Sequence, residues 1–149
     1  MICLCRPRLG SYGEPDSRIF DNNRPTVVGW GRTETLKDDE ISIVSTALQQ
    51  YLKLPAVTNR NCIQKYQSVL SADLTGNIMP DQHLCAGGEE GKDSCKGDSG
   101  GPLMAREDDI SPWQIVGVVS GGTKRCGIGA PGIFTRVTHY DQWIRDNMI

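Results

Sequence analysis

At 149 residues the chain has the length of one domain, enough to bury about 70% of the surface its unfolded form exposes. Sixteen Lys and Arg against eighteen Asp and Glu leave a net charge of −2, which gives no basic field for nucleic acid or for an anionic membrane surface. No apolar run approaches the roughly 18 residues of a membrane span, and the opening MICLCRPRLG, cut by Arg6 and Pro7, does not read as a signal peptide.

Residues 1–25 read as an extended surface segment punctuated by Pro7, Pro15 and Pro25. Thr26–Trp30 is a β-branched and aromatic run, a strand by propensity. Arg32–Glu40 is a charged loop, and Ala47–Leu54 is a strand stopped by Pro55. Thr58 is placed to cap a short helix over Asn59–Gln67. A loop over Ser68–Pro80 follows, then a strand over His83–Ala86. Gly87–Gly101 is too rich in glycine for a regular element and reads as an ordered functional loop. Pro102–Ala105, Gln114–Ser120 and Gly132–Val137 read as strands. His139–Met148 is the one substantial helix, with Tyr140, Trp143, Ile144 and Met148 as its expected buried stripe. Trp30 and Trp113, like Trp143, are expected to be packing residues. Many short strands separated by turn signals predict an all-β barrel.

The chemistry concentrates in GKDSCKGDSGGPLM, residues 91–104. A serine hydroxyl attacks a carbonyl usefully only when a base takes its proton and fixed donors hold the oxyanion. The glycines around Ser99 allow the backbone to turn sharply and aim the N–H groups of Gly97 and Ser99 at one point. Gly97, Ser99 and Gly101 also satisfy the GxSxG elbow of α/β-hydrolases. That elbow needs a helix after the serine, which Gly100, Gly101 and Pro102 oppose, and a parallel sheet needs the alternating helices that this chain lacks. Six cysteines without a CxxC pair indicate disulfides rather than zinc, and disulfide-bearing domains are typically secreted. A chain of that kind without a leader is expected to continue upstream.

GDSGGP resembles the active-site signature of chymotrypsin-like serine proteases. VVGWGRTE (27–34), LKLPAVTNRNC (52–62), HLCAGGEEGKDSC (83–95), IVGVVSGG (115–122) and PGIFTRVTHYDQWI (131–144) resemble further segments of that family in the same order. CAGGEEGKDSC and VTHYDQWI are most similar to arthropod clip-domain proteases. The resemblance covers the second half of the domain. It implies a six-stranded antiparallel Greek-key barrel with a C-terminal helix over residues 26–149, preceded by an inter-barrel crossing segment over residues 1–25.

The resemblance also implies roles. Ser99 is the nucleophile, and Gly97 and Ser99 supply the oxyanion donors. Asp93 is the floor of the primary specificity pocket, with Gly122 and Gly132 as walls, which favours Arg or Lys at the cleavage site. Lys96 borders the entrance and favours acidic neighbours in the substrate. Asp98 pairs with the N-terminal ammonium created on activation. Cys62–Cys85 and Cys95–Cys126 are disulfides, each expected to contribute about 3–4 kcal/mol. Pro25 and Ala105 stand where another family bridge is lost on both sides. Cys3 matches the cysteine that tethers the domain to its upstream chain, and Cys5 has no counterpart. Gly121 replaces a large aromatic, which weakens extended subsite binding.

The two histidines, His83 and His139, lie in contexts unlike that of the triad His, so the triad His and Asp belong to an upstream barrel. The implied activity is extracellular peptide hydrolysis after Arg or Lys, without cofactor or metal. Alone, the chain is expected to be nearly inert. The rival reading is a non-catalytic homologue that binds other proteins of a protease cascade.

Overall fold

The computed structural model describes residues 24–33, 46–70 and 77–148. Cys3, Cys5 and nearly all of the crossing segment lie outside the described residues. Among the described residues there are seven strands: β1 (Thr26–Gly29), β2 (Gln50–Lys53), β3 (Ala56–Val57), β4 (His83–Gly87), β5 (Pro102–Ala105), β6 (Gln114–Gly121) and β7 (Pro131–Arg136). They form one antiparallel sheet in the order β2-β1-β5-β6-β7-β4-β3. The expected count was six. The additional strand arises at Leu54–Pro55, because proline cannot donate to a ladder and splits one run into β2 and β3.

That split curls the sheet. β2 and β3 are its two edges, yet only Leu54 and Pro55 separate them in the chain. The Leu54 N–H donates to the Pro25 carbonyl at 2.9 Å, and the Gly87 N–H donates to the Pro55 carbonyl at 2.8 Å. The kink is thus tied to the start of β1 on one side and to the end of β4 on the other. Leu54 is fully buried there.

Alternation along the strands sends one set of side chains inward. Val27, Leu54, Leu84, Leu103, Val116, Val119 and Phe134 form the main core. Gly117 fits β6 closely against the core, since a Cβ there would lie 3.1 Å from Phe134 Cβ and 3.3 Å from Leu103 Cδ2. Continuing the β1–β5 register by one residue sets Pro25 opposite Ala105. Both are buried, so the two facing positions are filled by packing.

Helix α1 (Asn59–Leu70) starts where expected and runs three residues further. Thr58 Oγ1 accepts the Asn61 N–H at 3.2 Å, and the Thr58 carbonyl accepts the Cys62 N–H at 2.9 Å. Cys62 and Tyr66, one turn apart on the same face, are buried with Ile78, Cys85 and Ala130 in a second core cluster. The Cys62–Cys85 disulfide joins α1 to β4.

The C-terminus departs from expectation. A 3-10 turn over Val137–Tyr140 precedes a short helix, α2 (Asp141–Asn147). The expected stripe is not buried: Tyr140 and Ile144 are half-buried, while Trp143 and Met148 are 65% and 64% exposed. Seven residues give only two turns, and the preceding 3-10 turn breaks the period that would have aligned Tyr140 with the rest. Trp30 is also exposed, contrary to its expected packing role, because β1 ends one residue before it. Trp113 is half-buried beneath the Arg106 guanidinium, 4.7 Å from the ring centroid. No helix among the described residues is long and apolar enough to cross a membrane.

Phe134 is the largest side chain at the centre of the main cluster and is fully buried. Phe134→Ala is therefore expected to cost about 3–5 kcal/mol, read as a lowered denaturation midpoint, whereas Met148→Ala should leave the midpoint nearly unchanged.

Candidate active site

The loop between β4 and β5 carries Ser99 on two left-handed glycines, Gly97 at φ 100° and Gly100 at φ 81°. A Cβ on Gly97 would also lie 3.1 Å from Gly31 Cα. Tight turns fix the segment. Asp98 N–H donates to the Cys95 carbonyl, Gly101 N–H to the Asp98 carbonyl and Gly100 N–H to the Val119 carbonyl, each at 2.9 Å. Among the described residues, the N–H groups of Gly97 and Ser99 are not taken up by these bonds. Ser99 itself is exposed.

Asp98 lies half-buried behind the serine. Its Oδ1 accepts the Gly31 N–H at 2.8 Å, and its Oδ2 accepts the Cys95 N–H at 3.0 Å. The glycines on either side of Trp30 make room for it. A Cβ on Gly29 would come within 2.0 Å of Asp98 Oδ1, and one on Gly31 within 2.5 Å of the same carboxylate. Two segments nearly seventy positions apart therefore meet at one carboxylate.

Asp93 is half-buried. The Gly127 N–H donates to its Oδ2 at 3.1 Å. Burial pushes the carboxyl above the usual carboxylate range, opposed by hydrogen bonds from the backbone N–H groups of Gly127 and Ser94. Gly132 adjoins it: a Cβ there would lie 3.4 Å from Asp93 Oδ1 and 3.1 Å from Phe134 Cε2. Gly122 faces space whose nearest described atom is the Tyr66 hydroxyl, 3.9 Å from an added Cβ. At Gly121, where the resemblance leads one to expect an aromatic, an added Cβ would meet nothing within 4 Å.

Tyr66 is the residue that the sequence reading missed. It is buried, and its hydroxyl donates to the Pro131 carbonyl at 2.7 Å. Its phenol is pushed up to about 12, first by burial and then by the negative charge of Asp93. It holds the backbone beside Gly132 while standing next to Gly122. The available signal was its place one helical turn after Cys62, on the face that the disulfide turns inward.

The Cys95–Cys126 disulfide forms in the structure, as does Cys62–Cys85. It clamps the serine loop to the segment after β6, and the Gly91 N–H donates to the Gly127 carbonyl at 2.8 Å beside it. A cavity of about 270 Å³ opens between the β1–β2 pair and this clamp, and both Asp93 and Asp98 line it. The two histidines are engaged elsewhere. His83 Nδ1 accepts the Met79 N–H at 3.0 Å, and His139 Nδ1 lies 3.7 Å from Asp81. Among the described residues, no group of three or more potential ligands is arranged to hold a metal ion.

A curled antiparallel sheet thus presents an exposed serine on a glycine loop, with the Asp98 carboxylate held behind it by two backbone amides. The family profile described as Trypsin matches residues 6–144. The chain belongs to the trypsin family of serine proteases. It is 37% identical over 145 residues to "CLIP domain-containing serine protease B8" of Anopheles gambiae, covering 97% of this chain and 33% of that protein. It is 38% identical over 151 residues to "Melanization protease 1" of Drosophila melanogaster, covering 99% of this chain and 34% of that protein. "Phenoloxidase-activating enzyme" of Bombyx mori is 40% identical over 146 residues, with coverages of 97% and 31%. The chain thus spans about a third of the length of these relatives.

Two outcomes check the site. Gly29→Ala should drive the Asp98 carboxylate off the Gly31 N–H and cost about 1–3 kcal/mol, visible as a lowered melting temperature together with a changed Gly31 amide resonance. Asp93 has its folded value above its unfolded one, so ionising it opposes folding. Its stability contribution is present below the ordinary value of about 3.9 and is lost as pH rises through the raised folded value. Asp93→Asn should flatten that part of the stability profile without destabilising the chain at neutral pH, which a denaturation series across the acid range measures.

Proposed function

We propose that these residues form the nucleophile-bearing barrel of a secreted, trypsin-like endopeptidase of the clip-domain kind that cleaves peptide bonds after Arg or Lys. Ser99 is the nucleophile, the Gly97 and Ser99 N–H groups receive the oxyanion, and Asp93 pairs with the substrate cation between the Gly122 and Gly132 walls. Asp98 receives the N-terminal ammonium of an activated chain through the cavity it shares with Asp93. The observation that carries this reading is the common frame of Ser99 and Asp93. One disulfide and the Gly127–Asp93 hydrogen bond hold the attacking group and the cation acceptor on the same pair of loops.

The mechanism needs a proton acceptor for Ser99 and a partner to orient it. Neither histidine of this chain fills that role, since His83 supports the Met79 backbone and His139 lies against Asp81. The general base therefore comes from residues outside these 149, in an N-terminal barrel docked against this one, with Cys3 as the tether to the upstream chain. The natural targets are proteins of an extracellular cascade. The same placement of the histidines supports a second reading, in which the chain alone acts as a non-catalytic binding partner within such a cascade.

The test compares the refolded 149-residue chain with a longer product that includes an N-terminal barrel. A fluorophosphonate should label Ser99 of the chain alone about 10⁴-fold more slowly than it labels an active trypsin-like protease. The activated longer product should react rapidly and cleave after Arg and Lys, a preference that Asp93→Ser abolishes because the substrate cation loses its counter-charge. Rapid labelling of the chain alone, or equal cleavage after Arg and Phe, would refute the assignment.

A further inference from the structure

The loop that carries Asp93 opens on a tight hairpin. Glu89 and Lys92 face each other across an antiparallel bridge, and the Lys92 N–H donates to the Glu89 carbonyl at 3.2 Å. Gly91 turns the hairpin at φ 76°, and its N–H donates to the Gly127 carbonyl at 2.8 Å. The side chains are tied as well. Lys92 Nζ donates to Glu89 Oε2 at 3.2 Å, and Arg24 Nη1 donates to Glu89 Oε1 at 2.9 Å and to Oε2 at 3.1 Å. Hydrogen bonds from Arg24 and then from Lys92 hold the Glu89 carboxyl below the usual carboxylate range. One carboxylate thus takes two cations.

Asp93 is the next residue, and its carboxylate is served differently. It is half-buried and receives only backbone N–H groups, from Gly127 and Ser94. Among the described residues no cation pairs with it. A half-buried carboxylate gains more from a cation than an exposed one does, because the pair is less screened. Lys92 is the cation next to it in the chain. Neighbouring Cα atoms are about 3.8 Å apart, and a flexible four-carbon stem carries the ammonium well beyond that. Of the other charged groups nearby, Arg125 has an interaction of its own. Glu90 is exposed at the turn of the hairpin, where a pair with Lys92 would be screened.

We propose that Glu89 is a positioning residue for the Asp93 site: it draws the Lys92 ammonium away and keeps the Asp93 carboxylate open to the cation of a substrate. Without Glu89, Lys92 turns onto Asp93 and competes with the incoming Arg or Lys as a tethered occupant. This rests on the reading of Asp93 as the cation acceptor and adds a determinant of its availability. Arg24 fixes the Glu89 carboxylate from the segment that leads into β1, so the hold on Lys92 is anchored outside the loop itself.

The experiment uses the refolded chain at low ionic strength. Two fluorescent nonapeptides, one with a central Arg flanked by Ala and one with Gln in its place, are compared by anisotropy. The parent chain should prefer the Arg peptide. E89Q should weaken Arg-peptide binding about five-fold and leave the Gln peptide unchanged. K92Q alone should change the affinity by less than about two-fold, since Glu89 then simply loses one of two exposed pairs. In the E89Q background, K92Q should restore binding. That non-additivity marks a released cation, because a merely structural role of Glu89 would leave the double variant as weak as E89Q. A carbon NMR titration of the Asp93 carboxyl, with no ligand present, gives a second readout. Its midpoint should fall by about one pH unit in E89Q and return in E89Q/K92Q, while K92Q alone moves it far less. A retained melting transition verifies folding of each variant. An unmoved Asp93 midpoint in E89Q, or effects of the two substitutions that simply add, would overturn the proposal. If the parent chain binds both peptides equally, the Asp93 reading fails, and the titration alone decides whether Glu89 holds Lys92 off that carboxylate. If Arg is preferred equally by the parent and by E89Q, the Asp93 reading stands and the role of Glu89 fails.

Discussion

The Asp98 carboxylate is the point on which the site's geometry depends. One oxygen accepts a backbone N–H from Gly31, two residues beyond the first strand, and the other accepts one from Cys95 in the serine loop. A carboxylate satisfied by two fixed amides is well held in a partly buried place, and it costs the chain every side chain that would compete for the space. This is why Gly29 and Gly31 are both bare. It is also why Ser99 emerges at the surface: its predecessor is pulled inward, and the left-handed Gly97 and Gly100 absorb the reversal on either side. Asp98 also lines the cavity between the β1–β2 pair and the Cys95–Cys126 clamp.

The sheet supplies rigidity where the site needs it. Its two edges are joined through Leu54 and Pro55, so the chain cannot open at β2 without disturbing β3 and β4. β7 then carries Gly132 beside Asp93, with Phe134 two residues further in the core. The Tyr66 hydroxyl fixes the start of the same strand at Pro131. Packing in the core is thereby coupled to the shape of the pocket: the atom nearest an added Cβ at Gly132 is a ring carbon of Phe134. Gly132 is thus bare where a core aromatic and the Asp93 carboxylate already occupy the space around it.

Most strands were legible because alternation and punctuation are local. Pro102–Ala105 coincides with its expected range, and Gln114–Gly121 differs by one residue. The Thr58 cap was readable from residue type and place. What was not legible was set by distant partners. Whether Pro55 ends a strand or bends it depends on Pro25 and Gly87, which lie far away in the chain. The C-terminal stripe has a helical period, but period does not reveal whether a surface covers it, and Trp143 and Met148 are exposed. The Ser99 motif was plain in the sequence, whereas the part played by Tyr66 was not. A tyrosine on a helix has no signature of function until the fold sets its hydroxyl against a carbonyl and near a carboxylate.

The distribution of charge shows how the work is divided. Asp93 is raised by burial and restrained by only two backbone amides, so it holds an anionic charge at some cost and gains by meeting a cation. Tyr66, close enough to sense that charge, is shifted in the same direction: its proton is held more firmly, so it remains a hydrogen-bond donor to Pro131 across the whole neutral range. The phenol therefore stays neutral beside the carboxylate and adds no second negative charge to the floor. Ser99, by contrast, has fixed turns around it, while the chain's two histidines are engaged elsewhere, at Met79 and Asp81. The serine loop and the Asp93 carboxylate are nonetheless held in one frame by the Cys95–Cys126 disulfide and the Gly127–Asp93 hydrogen bond.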